Sequence, residues 1–191
     1  LYNSFEFNAG KKLLQPAKDN RKGFFENQSV VDLNDKILES QGLEWFTAEQ
    51  FKLDNLSKEF QDKAINVIEN EFPEKKDIIL KDPRLCFLFP FWEKILSKKY
   101  KIYHLVVLRN VEASAFSLRR RNGFFLSDAA KFSAKQQVSI RNNLLNKKRV
   151  YWTTYEKVLR DPNKFLDDIK NSFNFLTQKN KAKKLFIDSS L

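Results

Sequence analysis

The chain has 191 residues, 42% hydrophobic and 14% aromatic, with only four Gly and five Pro, which supplies one sizeable core and excludes a disordered or low-complexity chain. A single cysteine excludes an internal disulfide and a cysteine-rich metal site, and the lone histidine, His104, lies in an apolar run that suits a core or sheet position better than a Ser-His-Asp triad. Lys plus Arg exceed Asp plus Glu, 35 against 24, so the net charge of +11 favours anionic ligands without separating nucleotide from nucleic acid, and no window reaches the ~18 apolar residues of a membrane span.

These features, with no secretory segment in view, lead us to expect a cytoplasmic protein. No Met occurs anywhere, position 1 included, so we expect a fragment whose beginning is lost.

Residues 1 to 23 read as the end of a helix followed by a polar loop, "KKLLQPAKDNRKG". Asn27 can cap a helix whose apolar face is Val30, Leu33, Ile37 and Leu38 and which Gly42 ends. Leu56, Phe60, Ala64, Val67 and Ile68 repeat the helical period before Pro73. A short buried strand is expected at 77 to 81, a helix at about 84 to 98, and a stronger strand, "KIYHLVVLR", at 101 to 109. Helices follow at 111 to 121 and 127 to 146, then the strand "RVYWTTY". A last helix, capped by Asp161 with Pro162 in its first turn, buries Phe165, Leu166, Ile169 and Phe173. Apolar strands joined by helical crossovers predict one α/β domain over 1–191, with a mostly parallel sheet and helices on both faces.

In such sheets ligands bind at the carboxyl ends of strands, where loops lead into helix N-termini. Lys81-Asp82-Pro83-Arg84 and Arg109-Asn110 occupy such ends. Arg109 at the strand tip and Ser117 on the following helix are able to grip one phosphate by charge-assisted bonds, though on spacing alone they read more readily as a surface arginine and a helix-face serine. Lys81 and Arg84 are either site cations or an ion-pair lattice with Asp82. Arg119-Arg120-Arg121 fits an anionic acceptor less well than the solvated end of a helix. Phe24, Phe25, Phe124 and Phe125 are pocket candidates in a chain where most Phe belong to the core.

"LVVLRNVEASAFSL", with "VYWTTYEKVLRDPNKFLDDIKNSFNFL" downstream, resembles the PAPS-dependent sulfotransferases. In that family a strand ending in Arg-[Asn/Asp]-Pro is followed by a serine eight residues after the arginine, and a later Tyr-Glu-x-Leu-x-x-Asp-Pro tract leads into a helix. "DNRKGFFEN", "KDPRLCFLFPFW" and the terminal "FIDSSL" look like a bacterial branch of the family, so the resemblance covers nearly the whole chain in order. It implies a P-loop-type, Rossmann-like sheet and PAPS as co-substrate, with no metal. Arg109 and Ser117 would bind its 3′-phosphate, and Tyr155 would stand near the adenine. Val111 departs from the family's usual proline, at a helix position that tolerates many residues. The family's Gly/Ser/Thr-rich 5′-phosphosulfate loop, between first strand and first helix, has no counterpart here. That absence, like the absent Met, is expected from truncation, and the fragment is expected to be inactive alone.

Sulfuryl transfer needs a base for the acceptor hydroxyl or amine and cations for the departing adenosine bisphosphate. Glu26, after the aromatic pair of "GFFEN", resembles the base of some carbohydrate sulfotransferases; it also reads as a carboxylate favoured by a helix N-terminus. Asp82 is the second base candidate, and Lys81 joins the two as a catalytic candidate. Arg84, Phe25 and Arg121 are the acceptor-binding candidates, for a small-molecule, carbohydrate or lipid acceptor. A P-loop nucleotide kinase is the alternative within the fold. A basic nucleic-acid-binding module is the alternative outside it, disfavoured because the basic residues are scattered and the aromatics keep core periodicity.

Overall fold

A computed structural model describes residues 7–17, 20, 23–74 and 77–173. The chain divides into two compact units. A helical unit comprises Asn8–Lys101 and Ala134–Asn143; a sheet unit comprises Leu1–Phe7, Ile102–Ser133 and Leu144–Leu191. Among the described residues no helix is long and apolar enough to cross a membrane.

The helical unit is built on α1 (Gln28–Glu39), α2 (Lys58–Glu71) and α3 (Leu85–Leu96), with short 3-10 turns at Ala48–Gln50 and Leu53–Asn55. Asn27 caps α1 as expected, its side chain accepting from the Val30 N–H. Val30, Leu33, Ile37 and Leu38 are buried, as are Ala64 and Ile68 of α2 and Phe87, Leu88, Phe91, Trp92 and Ile95 of α3. α1 packs on α2 and α2 on α3.

Two features of this unit depart from the sequence reading. The segment 77 to 81 does not form a full strand: Ile78 makes one parallel bridge, to Asn8. Asn8 is accordingly part of a bridge rather than of a helix end. Asn8 N–H donates to the Asp77 carbonyl at 3.0 Å and Ile79 N–H to the Asn8 carbonyl at 2.9 Å. The ladder stops because Gly10 turns left-handed at φ 94°, with its N–H held by Asn8 Oδ1 at 2.8 Å. Residues 1–6, which carry the rest of that expected helix, lie outside the described residues.

The buried Glu71 anchors the segment beyond the turn. Its Oε2 accepts from the Lys11 and Lys12 N–H groups at 2.8 and 3.2 Å and from Asn27 Nδ2 at 2.8 Å, and its Oε1 from Ser29 Oγ at 2.7 Å. Burial alone would raise the carboxyl's pKa, but these four donors outweigh it and hold the value below the ordinary one. Residue 10 must be glycine here, because a Cβ would collide with Asn27 Nδ2.

The sheet unit contains β1 (His104–Leu108), α4 (Val111–Asn122), the start of α5 (Leu126–Leu144), β2 (Val150–Thr154), α6 (Tyr155–Arg160) and α7 (Pro162–Ser172). β1 and β2 pair in parallel, from His104 opposite Val150 to Leu108 opposite Thr154. Within the described residues the sheet has these two strands, so the architecture is mixed α/β with a two-stranded parallel sheet. His104 opens β1, as its apolar surroundings suggested. Val158, Phe165, Leu166, Ile169 and Phe173 form a cluster against which Tyr103, Leu105 and Tyr151 pack. Asp161 caps α7 through the Lys164 N–H, with Pro162 in the first turn.

Candidate functional site

Each unit carries one constellation of the expected residues. In the sheet unit it follows from strand register. Leu108 and Thr154 are the last paired residues of adjacent parallel strands, so Arg109 and Tyr155 occupy the next position on each, side by side at the carboxyl edge. The Arg109 guanidinium carbon lies 4.8 Å from the Tyr155 ring centroid, a cation–π contact. Asn110 caps α4 by accepting from the Ala113 N–H at 3.1 Å, and its own N–H points to Glu156 Oε1 at 3.4 Å. Glu156 is held below the ordinary carboxyl value, first by its own backbone N–H and with smaller contributions from the Asn110 N–H and the Arg109 charge.

Ser117 sits partly buried on α4, six residues past the helix start and therefore about 9 Å along its axis. Arg121 lies exposed in the last turn, where a cation complements the helix dipole, and its Nε donates to Asn122 Oδ1 at 2.9 Å.

In the helical unit the chain passes from the polar loop into α1 through Phe24, Phe25 and Glu26. The Leu14 N–H donates to the Glu26 carbonyl and the Gln28 N–H to the Lys12 carbonyl, both at 2.8 Å, which fixes this entrance. Phe25 takes φ 55°, rare for a bulky side chain, and is 47% exposed. The kink turns neighbouring side chains apart: Glu26 is buried while Phe25 faces solvent. Lys81 Nζ donates to the Phe24 carbonyl at 3.0 Å and forms an ion pair with Glu26 Oε1, so one ammonium ties down both sides of Phe25.

Asp82 plays a different part. Its side chain is fully buried; Oδ1 accepts from the Arg84 N–H at 2.8 Å and from Arg84 Nη1 at 3.1 Å, and Oδ2 accepts from Asn34 Nδ2 at 2.9 Å. Asn34 Oδ1 in turn accepts from the Trp92 indole N–H at 2.8 Å. Arg84 forks onto Asp35, with Nε to Oδ1 at 2.6 Å and Nη2 to Oδ2 at 3.1 Å. Burial would lower the guanidinium's pKa, but Asp82 and Asp35 together hold it raised. Asp82 and Arg84 thus form an ion-pair lattice that positions the start of α3, while Glu26 and Lys81 are the pair with an exposed member. The neighbouring Cys86 thiol is pushed up to about 12, chiefly by burial, which leaves it a poor nucleophile at neutral pH.

Asp35, Asn34, Trp92 and Glu156 were not singled out from the sequence. Asn34 carried a usable signal: it stands on the apolar face of α1 between Val30 and Ile37, and a buried amide there requires polar partners. Trp92 carried another, since a buried indole N–H seeks an acceptor.

Comparison with protein-family models, with curated proteins and with solved structures finds no match.

Proposed function

We propose that this chain belongs to a PAPS-dependent sulfotransferase with a P-loop-type sheet, transferring a sulfuryl group to a hydroxyl or amine acceptor. The observation that carries the reading is the pairing of Arg109 and Tyr155 at the carboxyl edge of two parallel strands. A guanidinium beside an aromatic ring, next to a capped helix N-terminus, offers a phosphate a charge and a base a stacking surface. In this reading Arg109, aided by Ser117, holds the 3′-phosphate and Tyr155 meets the adenine.

Of the carboxylates that the resemblance singles out, Glu26 is the base in this reading. Glu26 takes the proton of the acceptor group as its oxygen or nitrogen bonds to sulfur. The sulfur–oxygen bond to the nucleotide breaks, and adenosine 3′,5′-bisphosphate leaves with the bonding electrons. Protonating Glu26 neutralises Lys81's partner and leaves the ammonium without its carboxylate. Phe25 is the acceptor-side aromatic. Asp82 and Arg84 hold the segment that carries Lys81.

Titration of the chain with adenosine 3′,5′-bisphosphate, 5′-AMP and ATP tests the reading through affinity ratios. The bisphosphate is expected to bind about tenfold or more tightly than 5′-AMP, and ATP no better than 5′-AMP. Preference for ATP would instead favour phosphoryl transfer, and equal affinities would remove the 3′-phosphate site.

A further inference from the structure

The middle and end of α4 and the loop after it carry three arginines and two bare aromatic rings on the surface of the sheet unit. Phe116 is 58% exposed and Phe125 81%, and Arg119, Arg120 and Arg121 are all exposed. Helical spacing sets Arg119 and Arg120 three and four residues beyond Phe116, so ring and cations share a face. Gly123, left-handed at φ 73°, ends the helix, and Phe125 follows just before α5 begins at Leu126.

Between Phe116 and Phe125 there is no acidic residue. Among the described residues no carboxylate pairs with any of the three arginines. The flanking acids, Glu112 and Asp128, lie in the first turns of α4 and α5. The run Phe124-Phe125-Leu126 is wholly apolar and adjoins a single helical turn of cations. A nucleic-acid strand would call for basic residues tracking along a groove. An apolar tip beside a compact cluster of positive charge instead matches an interface whose outer layer is anionic and whose interior is hydrocarbon.

We propose that this patch docks the protein on an anionic phospholipid surface, with Phe125 and Phe116 entering the interface and the three guanidiniums meeting headgroup phosphates. The inference is independent of the sulfuryl-transfer reading.

Co-sedimentation of the chain with phosphatidylserine-containing vesicles, and with phosphatidylcholine vesicles alone, tests it. Binding is expected to the anionic vesicles only and to weaken with salt. Replacing all three arginines by glutamine should lower partitioning about a hundredfold, since each basic residue near such a surface contributes about fivefold. Phe125→Ala should lower it about tenfold while Phe125→Leu retains most of it. Circular dichroism verifies that each variant is folded. Failure to bind anionic vesicles, equal binding to both vesicle types, or wild-type binding by the Phe116→Ala/Phe125→Ala double variant would overturn the proposal. So would tighter capture by a single-stranded oligonucleotide that depends on the arginines and not on the rings, which would mark a nucleic-acid surface.

Discussion

Lys81 and Glu26 form an ion pair of unequal members: the lysine side chain is 52% exposed and the glutamate side chain 7%. Truncating the lysine would strand a buried carboxylate, whereas amidating the glutamate leaves a neutral acceptor for the same ammonium. Lys81→Met is therefore expected to destabilise the fold by about 1–3 kcal/mol, and Glu26→Gln by less. In a protein competent for transfer, Glu26→Gln should keep its nucleotide affinity and lose about 10²–10⁴-fold in turnover. Denaturant titration measures the first pair of effects, and nucleotide titration followed by a transfer assay the second. Normal turnover in Glu26→Gln together with an inactive, nucleotide-binding Asp82→Asn would move the base to Asp82.

Glu71 supplies a pH signature. Its folded-state pKa is lowered, so its contribution to stability is complete above the ordinary glutamate value of about 4.3 and is lost as pH falls through the folded value. Wild-type protein should lose stability on acidification below that value more steeply than Glu71→Gln. At neutral pH the variant should be less stable by about 1–3 kcal/mol, because an amide cannot accept from all four donors. Denaturation midpoints measured from neutral pH to pH 3 give both quantities. Parallel curves for the two proteins would contradict the assignment.

Pro90 lies inside α3 and has no N–H to offer the Cys86 carbonyl four residues back. Ser139 Oγ fills that vacancy, donating to the Cys86 carbonyl at 2.7 Å. Ser139→Ala should cost about 1–2 kcal/mol, and Pro90→Ala, which restores the helical donor, should remove most of that cost. A double-mutant cycle by denaturant unfolding reads the coupling. Additive effects would show that the hydroxyl does not replace the missing donor.

Local signals in the sequence carried much of this structure. Asn27 and Asp161 mark helix starts because short polar side chains satisfy orphan N–H groups wherever they precede an apolar period. Arg109 was placed at a strand tip because an apolar β-branched run ends there. Long-range choices were not legible. Nothing local told segment 77 to 81 that its partner would be Asn8 and that Gly10 would end the pairing after one bridge. Tyr155 was read as the last residue of a strand, yet Thr154 caps α6 by accepting from the Lys157 N–H, which makes Tyr155 the first helical residue. The burial of Glu71 depends on donors 42 to 60 residues away in sequence. For the site, the residue types of Lys81-Asp82-Pro83-Arg84 were visible, but the split between Lys81, exposed and paired with the buried Glu26, and the buried Asp82–Arg84 lattice depends on partners such as Asn34 and Asp35, 48 and 49 residues away in sequence.

We infer that Arg109, set beside Tyr155 by strand register, reads a 3′-phosphate. Its most direct test is the affinity of wild type and Arg109→Ala for adenosine 3′,5′-bisphosphate and for 5′-AMP, measured under one buffer. A half-buried arginine–phosphate contact contributes on the order of 1.5–3 kcal/mol. The variant is therefore expected to lose roughly ten- to a hundredfold in bisphosphate affinity and to keep its affinity for 5′-AMP. Equal losses for both nucleotides, or no loss for either, would contradict it.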